Sequence, residues 1–204
     1  KSRLYGDANP AFTGQVTGLK NSDLLTGVTD GTAVFDSPAI LASNVGSYAI
    51  DGSGLTVTSA NYLAAVAQAL GNATALTIDP ATLTYVADPK SRLYGDANPA
   101  LTGNVSGFKN GETIATATGG TLLFGTAATA SSNVGGDAIH GSGLTANFGN
   151  YVFAQALGNA TALTIDPATL TYVADPKSRL YGDANPAFTG NVTGFKNGET
   201  IATA

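Results

Sequence analysis

The sequence predicts an all-β fold: tandem small β-sandwiches of immunoglobulin-like type, each with at most one short helix, strung into a rod. Three observations predict it. The segment KSRLYGDANP begins at residues 1, 90 and 177, which sets steps of 89 and 87 residues. Such steps are too long for solenoid turns of about 20–50 residues and long enough for domains with their own cores. Between the copies, apolar residues fall in short runs closed by Gly and Asn, about six or seven per repeat. Only 11% of residues are charged and 26 are Gly, a composition of turns and closely packed strands. A β-grasp arrangement, with the short helix on one sheet, is the alternative.

The repeats set the domain boundaries at 1–79, 80–166 and 167–204, the first lacking its opening strand and the third holding only the start of a unit. The joint Ile78-Asp79-Pro80-Ala81-Thr82-Leu83 returns at Ile165–Leu170. It reads as a strand end, one proline and the next strand. Because Pro fixes φ and favours extended geometry before it, neighbouring units are expected at a set angle. The two steps differ because five residues separate Tyr62 from Gln68, whereas three separate Tyr151 from Gln155. Gln68–Ala117 and Gln155–Ala204 are 50 residues each and differ only at Leu101/Phe188 and Ser106/Thr193. Copying this complete points to recent duplication of one unit, tolerated where copy number is the useful quantity.

Within a unit, Leu83–Ala87 alternates in hydropathy and predicts a strand, as does Ala162–Ile165. Tyr48–Ile50, Thr121–Phe124 and Asn150–Phe153 are short apolar or aromatic runs of the same kind. Tight turns are expected at Asp51–Gly54 and Gly141–Gly143. Asn110–Ala115 reads as a helical turn or two, with Asn110 as the cap and Glu112 in the first turn.

Several functional classes are excluded on composition. The formal net charge is −5 without a basic cluster, which argues against nucleic acid as a partner. No run approaches the roughly 18 apolar residues of a membrane-spanning helix, so no membrane insertion is expected. The chain has no Cys, which removes disulfides and thiol chemistry and fits an exported protein. Both termini read as cuts within a longer repeated pattern, with no leader peptide in view.

Candidate chemistry is sparse. His140 is the sole histidine and stands where unit one has Asp51. It lacks a nucleophile motif nearby and reads as a surface turn residue. Asp7 with Asn9, repeated as Asp96/Asn98 and Asp183/Asn185, offers two oxygen ligands where calcium needs six to eight. An Asx turn before the proline is the better reading. Neither a carboxylate pair nor a phosphate loop is visible. The sequons at Asn72, Asn104, Asn159 and Asn191 read as turn and strand positions. Thr113–Thr121 and Thr126–Thr129 form Thr-rich stretches suited to ordinary exposed strand faces. The expectation is therefore no enzyme, no catalytic, cofactor or metal residues, and no cofactor.

The signature Tyr-Gly-Asp-Ala-Asn-Pro at Tyr5, Tyr94 and Tyr181 resembles the MBG domain ("mostly beta, glycine-rich") of YGX type. Further matches are Gly18–Asn21, Gly107-Phe108-Lys109-Asn110-Gly111-Glu112, Asn44–Ile50 and the closing Ala75–Ile78. Unit two departs at Gly136-Asp137, where the family shows Gly-x-Tyr. The resemblance covers essentially the whole chain. It implies repeats of large secreted bacterial adhesins, filamentous-haemagglutinin-like or autotransporter proteins, at the cell surface or in a biofilm matrix. The implied role is a non-enzymatic stalk whose partners are its own neighbouring repeats. Two alternatives stand beside it. Identical chains would form a filament if a donated strand completed unit one, which lacks the strand that Leu83–Ala87 supplies in unit two. Direct glycan or receptor binding is the other.

Overall fold

Fifteen short strands carry the chain, and a computed structural model describes them over residues 1–203. The first repeat contributes β1 (Ser2–Leu4), β2 (Thr29–Asp36), β3 (Gly46–Tyr48), β4 (Asp51–Val57) and β5 (Leu76–Asp79). The second contributes β6 (Ala81–Ala87), β7 (Lys90–Leu93), β8 (Gly103–Ser106), β9 (Thr118–Gly125), β10 (Gly135–Asp137), β11 (His140–Ala146), β12 (Tyr151–Gln155) and β13 (Leu163–Asp166). The third adds β14 (Thr171–Ala174) and β15 (Gly190–Thr193). Two four-residue helices, α1 (Leu25–Val28) and α2 (Ile114–Ala117), precede β2 and β9. The fold is thus all-β, in several small sheets.

Equivalent strands pair alike. The sheet β1-β5-β3 of the first repeat corresponds to β7-β13-β10 of the second, and the ladder β2-β4 corresponds to β9-β11. In both three-stranded sheets the signature strand runs parallel to the closing strand, Arg3 opposite Ile78 and Arg92 opposite Ile165. A third sheet, β12-β6-β8, places β6 in the centre. The first repeat has no such sheet: Gly14–Thr17 and Tyr62–Gln68, which correspond to β8 and β12, are not strands.

The chain divides into two compact units, one of residues 1–83, 107–120 and 144–154, the other of 84–106, 121–143 and 155–203. The core of the first includes Leu76 and Ile78 on β5 with Ala81 and Leu83 at the start of β6, all at most 1% exposed. That of the second gathers Ala87, Ala128, Ile139, Ala162, Leu163 and Ile165, with Tyr94, Leu101 and Phe124 against it. Alternation on β6 sends Ala81, Leu83, Tyr85 and Ala87 inward, as the period of a strand requires.

Two local expectations are corrected. Asp51–Gly54 and Gly141–Gly143 are not turns but lie inside β4 and β11. Their glycines serve close approach between strands. A Cβ on Gly54 (φ +82°) would sit 2.2 Å from the Thr32 carbonyl oxygen, and one on Gly143 (φ +86°) 2.1 Å from that of Thr121. The register of β2 on β4 shifts between Gly31 and Val34, the mark of a bulge. The helix starts later than Asn110. Asn110 takes a positive φ of 53° in the preceding turn, and α2 begins after Thr113, whose N–H donates to Thr116 Oγ1 at 2.8 Å.

Asn159 shows how β6 is held. It is 2% exposed, accepts the Ala87 N–H at 2.9 Å and donates to the Tyr85 carbonyl at 3.0 Å. Its counterpart Asn72 is only half-buried and bonds Gln68 Oε1 at 2.9 Å. Losing Asn159 strands the buried Ala87 N–H, while the Tyr85 carbonyl still accepts the Ala156 N–H at 2.9 Å. Asn159→Ala should therefore cost about 1–3 kcal/mol in denaturant unfolding, and Asn72→Ala less than about 1 kcal/mol.

Candidate functional site at the repeat junction

The signature segment folds into a tight loop pinned by its own arginine. Arg3 is 7% exposed. Its Nε donates to Asn9 Oδ1 at 2.7 Å, and its other nitrogens donate to the carbonyls of Leu4 at 3.1 Å and Ile40 at 2.6 Å. Asn9 Nδ2 donates to the Ala39 carbonyl at 2.7 Å. Arg92 and Asn98 repeat the set on the carbonyls of Leu93, Thr129 and Ala128. The Asx-turn expectation for Asn9 is thereby corrected, because its side chain serves Arg3 and a distant carbonyl.

The pinned loop presents Tyr5, Gly6 and Asp7 to the Gly-Phe-Lys-Asn-Gly-Glu segment of the following repeat. The Tyr5 hydroxyl donates to Glu112 Oε1 at 2.8 Å. The Tyr151 hydroxyl donates to Oε2 of the same carboxylate, and its oxygen accepts the Lys109 N–H at 2.8 Å. The rings of Tyr5 and Tyr151 meet edge-on at 5.4 Å, and Phe108 meets Tyr151 edge-on at 6.2 Å. Lys109 Nζ reaches Asp7 Oδ1 at 2.8 Å. This pair is about 40% exposed on each side chain (36% and 44%), so it contributes at most about 1 kcal/mol and mainly fixes direction.

Gly6 makes the approach possible. At φ +77°, a Cβ there would lie 2.4 Å from Lys109 Cβ and 2.7 Å from its Cγ. The lysine stem lies across a bare backbone, which explains the glycine of the signature. Asn150, 4% exposed, completes the joint. It accepts the Val45 N–H at 2.9 Å, donates to Asn44 Oδ1 at 2.9 Å, and its carbonyl takes the Ala81 N–H at 3.0 Å.

The other compact unit holds the same clasp one repeat on. Tyr94 donates to Glu199 Oε1 at 2.5 Å, Lys196 pairs with Asp96 at 2.8 Å, and a Cβ on Gly95 would meet Lys196 Cβ at 2.4 Å. Asn110 and Asn197 likewise donate to the carbonyls of Leu41 at 3.4 Å and Ala130 at 3.3 Å.

Of the other residues singled out in the sequence, His140 is exposed at the first position of β11 rather than in a turn. Among the described residues no three His, Cys, Asp or Glu side chains converge as a metal site would require. No helix among them is long and apolar enough to cross a membrane. Asn104 and Asn191 lie in β8 and β15, and Asn72 and Asn159 in short 3-10 turns. The pairing of Tyr5 with Glu112, 107 residues apart, was not readable in sequence, although both motifs were visible.

A family model described as the MBG domain (YGX type) matches residues 1–70, 83–161 and 170–204. No curated protein and no solved structure matches the chain.

Tyr5 and Tyr151 are held above the ordinary tyrosine value near 10, chiefly by burial, with the Glu112 carboxylate adding to it. The folded state thus keeps protons that the unfolded state releases. Stability is full below about pH 10 and is lost above it, as the unfolded state releases protons that the folded state keeps. Absorbance at 295 nm should show late-titrating tyrosines, and Tyr5→Phe should remove one of them. Gly6→Ala should lower stability by about 1–3 kcal/mol, through strain at positive φ and displacement of Lys109. Unfolding monitored at the Tyr5 and Tyr151 environment checks this.

Proposed function

The chain belongs to the MBG domain family, YGX type, a family of β repeats of extracellular surface proteins. From that premise we propose that it is a non-enzymatic spacer in a bacterial surface adhesin. Each repeat adds a fixed increment of length and keeps a binding region away from the cell. One observation carries the reading: the clasp of Tyr5, Gly6 and Asp7 on Lys109 and Glu112 is rebuilt by Tyr94, Gly95 and Asp96 on Lys196 and Glu199. A flexible tether needs no such joint, whereas a spacer that must hold its reach does.

The supporting physical argument is the composition of the joint. It combines buried aromatic area, a carboxylate shared by two hydroxyls, and a lysine seated on a glycine. Aromatic pairs contribute about 0.5–1.5 kcal/mol beyond their buried area, and hydrogen bonds to a charged group about 1.5–3 kcal/mol. Their geometry is narrow, which favours one angle between consecutive repeats over many. The copied surfaces fit the same role, since a spacer needs repetition rather than one unique site.

Small-angle X-ray scattering on chains of two, three, four and five repeats tests the proposal. The maximum dimension should grow by a constant step per added repeat. The double variant Tyr5→Phe, Glu112→Ala should broaden the distance distribution while circular dichroism stays β-like. A dimension that grows only as the square root of repeat number, as for a flexible chain, would falsify the spacer.

A further inference from the structure

Four of the eight prolines follow an aspartate, at Asp79-Pro80, Asp88-Pro89, Asp166-Pro167 and Asp175-Pro176. The fold sorts these four bonds into two kinds. At Asp79, the last residue of β5, the main-chain carbonyl accepts the Tyr5 N–H at 2.8 Å. At Asp166, the last residue of β13, it accepts the Tyr94 N–H at 2.8 Å. Both side chains are exposed, and among the described residues no ion pair reaches either carboxylate. Asp88 and Asp175 are the reverse. Asp88 Oδ2 accepts the Thr102 hydroxyl at 2.6 Å, and Asp175 Oδ2 accepts that of Thr189 at 2.5 Å. Their backbone N–H groups donate to the carbonyls of the same two threonines at 2.8 Å, yet among the described residues no N–H donates to the carbonyl of either aspartate.

The ionisable groups on the segments beside β5 leave Asp79 free. Arg3 is spent on Asn9 and two carbonyls, Tyr5 on Glu112, Tyr48 on the Asn44 carbonyl and the Lys1 amino group on the Ala75 carbonyl. Beside β13, Arg92 is spent on Asn98 and two carbonyls and Tyr94 on Glu199. Lys90 and Asp137 both stand opposite Leu163, at the far end of the strand from Asp166.

We propose that Asp79–Pro80 and Asp166–Pro167 are self-cleaving bonds, through which the array cuts itself between repeats in mild acid. Proline favours extended geometry in the residue before it. In that geometry Cβ stands out of the plane of the residue's own carbonyl, so the carboxylate lies near the face at which that carbon is attacked. An Asp79 carboxylate oxygen adds to the Asp79 carbonyl carbon and closes a five-membered ring. Negative charge gathers on the carbonyl oxygen, where the Tyr5 N–H already donates. The C–N bond to Pro80 then breaks, and its electron pair, with one proton from solvent, goes to the proline nitrogen. The cyclic anhydride left behind takes up one water and opens to a C-terminal aspartate. Nothing is oxidised or reduced, and each bond is used once. A free nucleophile held beside its target supplies most of the advantage. At Asp88 and Asp175 a threonine hydroxyl occupies the carboxylate instead. The cut at Asp79 falls between β5, which closes the first repeat, and β6, which opens the second. This inference is independent of the spacer reading, which concerns the angle between repeats and not the bond that links them.

The test holds the 204-residue chain at about pH 4, which supplies protons while leaving aspartyl carboxylates to attack. Products are read by denaturing electrophoresis and mass spectrometry, so that repeats still clasped to one another count as cut. New ends at Asp79/Pro80 and Asp166/Pro167 should appear at least about tenfold faster than at Asp88/Pro89 and Asp175/Pro176. The same pH in strong denaturant should bring the four rates together, because the fold does the sorting. Asp79→Asn should abolish the cut after residue 79 and leave the cut after Asp166 unchanged, as a control within the same chain. The proposal is overturned by a chain that stays whole at Asp79, or by four equal rates in native buffer. Undiminished cutting after residue 79 in the Asp79→Asn chain overturns it equally.

Discussion

One carboxylate shared by two tyrosine hydroxyls is the interaction on which the joint depends. Glu112 bonds Tyr5 of the preceding repeat and Tyr151 of its own. A half-buried carboxylate held against rings without donors would be costly. Two hydroxyl donors offset that cost and fix both rings at once. Everything nearby serves this arrangement. Arg3 and Asn9 stiffen the loop that carries Tyr5, Gly6 lets the lysine stem close over it, and Lys109 gives its backbone N–H to Tyr151 and its ammonium to Asp7.

The sequence declared the fold class and the repeat more readily than the contacts. Alternation made β6 legible, because a strand buried on one face has period two. The glycines of Asp51–Gly54 misled, since Gly marks turns and close strand approach alike. Only the neighbouring strand, brought in by the fold, decides between them. Asp7 and Asn9 looked like two parts of one cluster, yet they face different partners, Lys109 and Arg3. The separation of 107 residues between Tyr5 and Glu112 hides the joint from any local reading, and no periodicity links two short loops so far apart.

Near-identical sequences take different environments here, and the difference is instructive. Tyr62 and Tyr151 each bond a carboxylate of their own repeat, Asp23 and Glu112. Glu112 also receives Tyr5 of the preceding repeat, as Glu199 receives Tyr94. Asn72 and Asn159 sit in the same LGNAT segment, but one is buried under β6 and the other is not. Arg3 and Arg92 are buried, whereas Arg179 is exposed and bonds carbonyls of its own loop.

The clasp has a consequence for how such arrays change over evolutionary time. A whole copy inserted between two others brings one tyrosine-bearing loop and one glutamate-bearing loop. The old partners are separated, and each finds its chemical equal on the newcomer. Every insertion therefore creates as many closed joints as it adds loops, and a clean deletion removes them in equal number. Because the interface is written in each copy's own sequence, gain or loss of copies needs no compensating substitution. Repeat number is then free to drift while joint geometry is inherited intact.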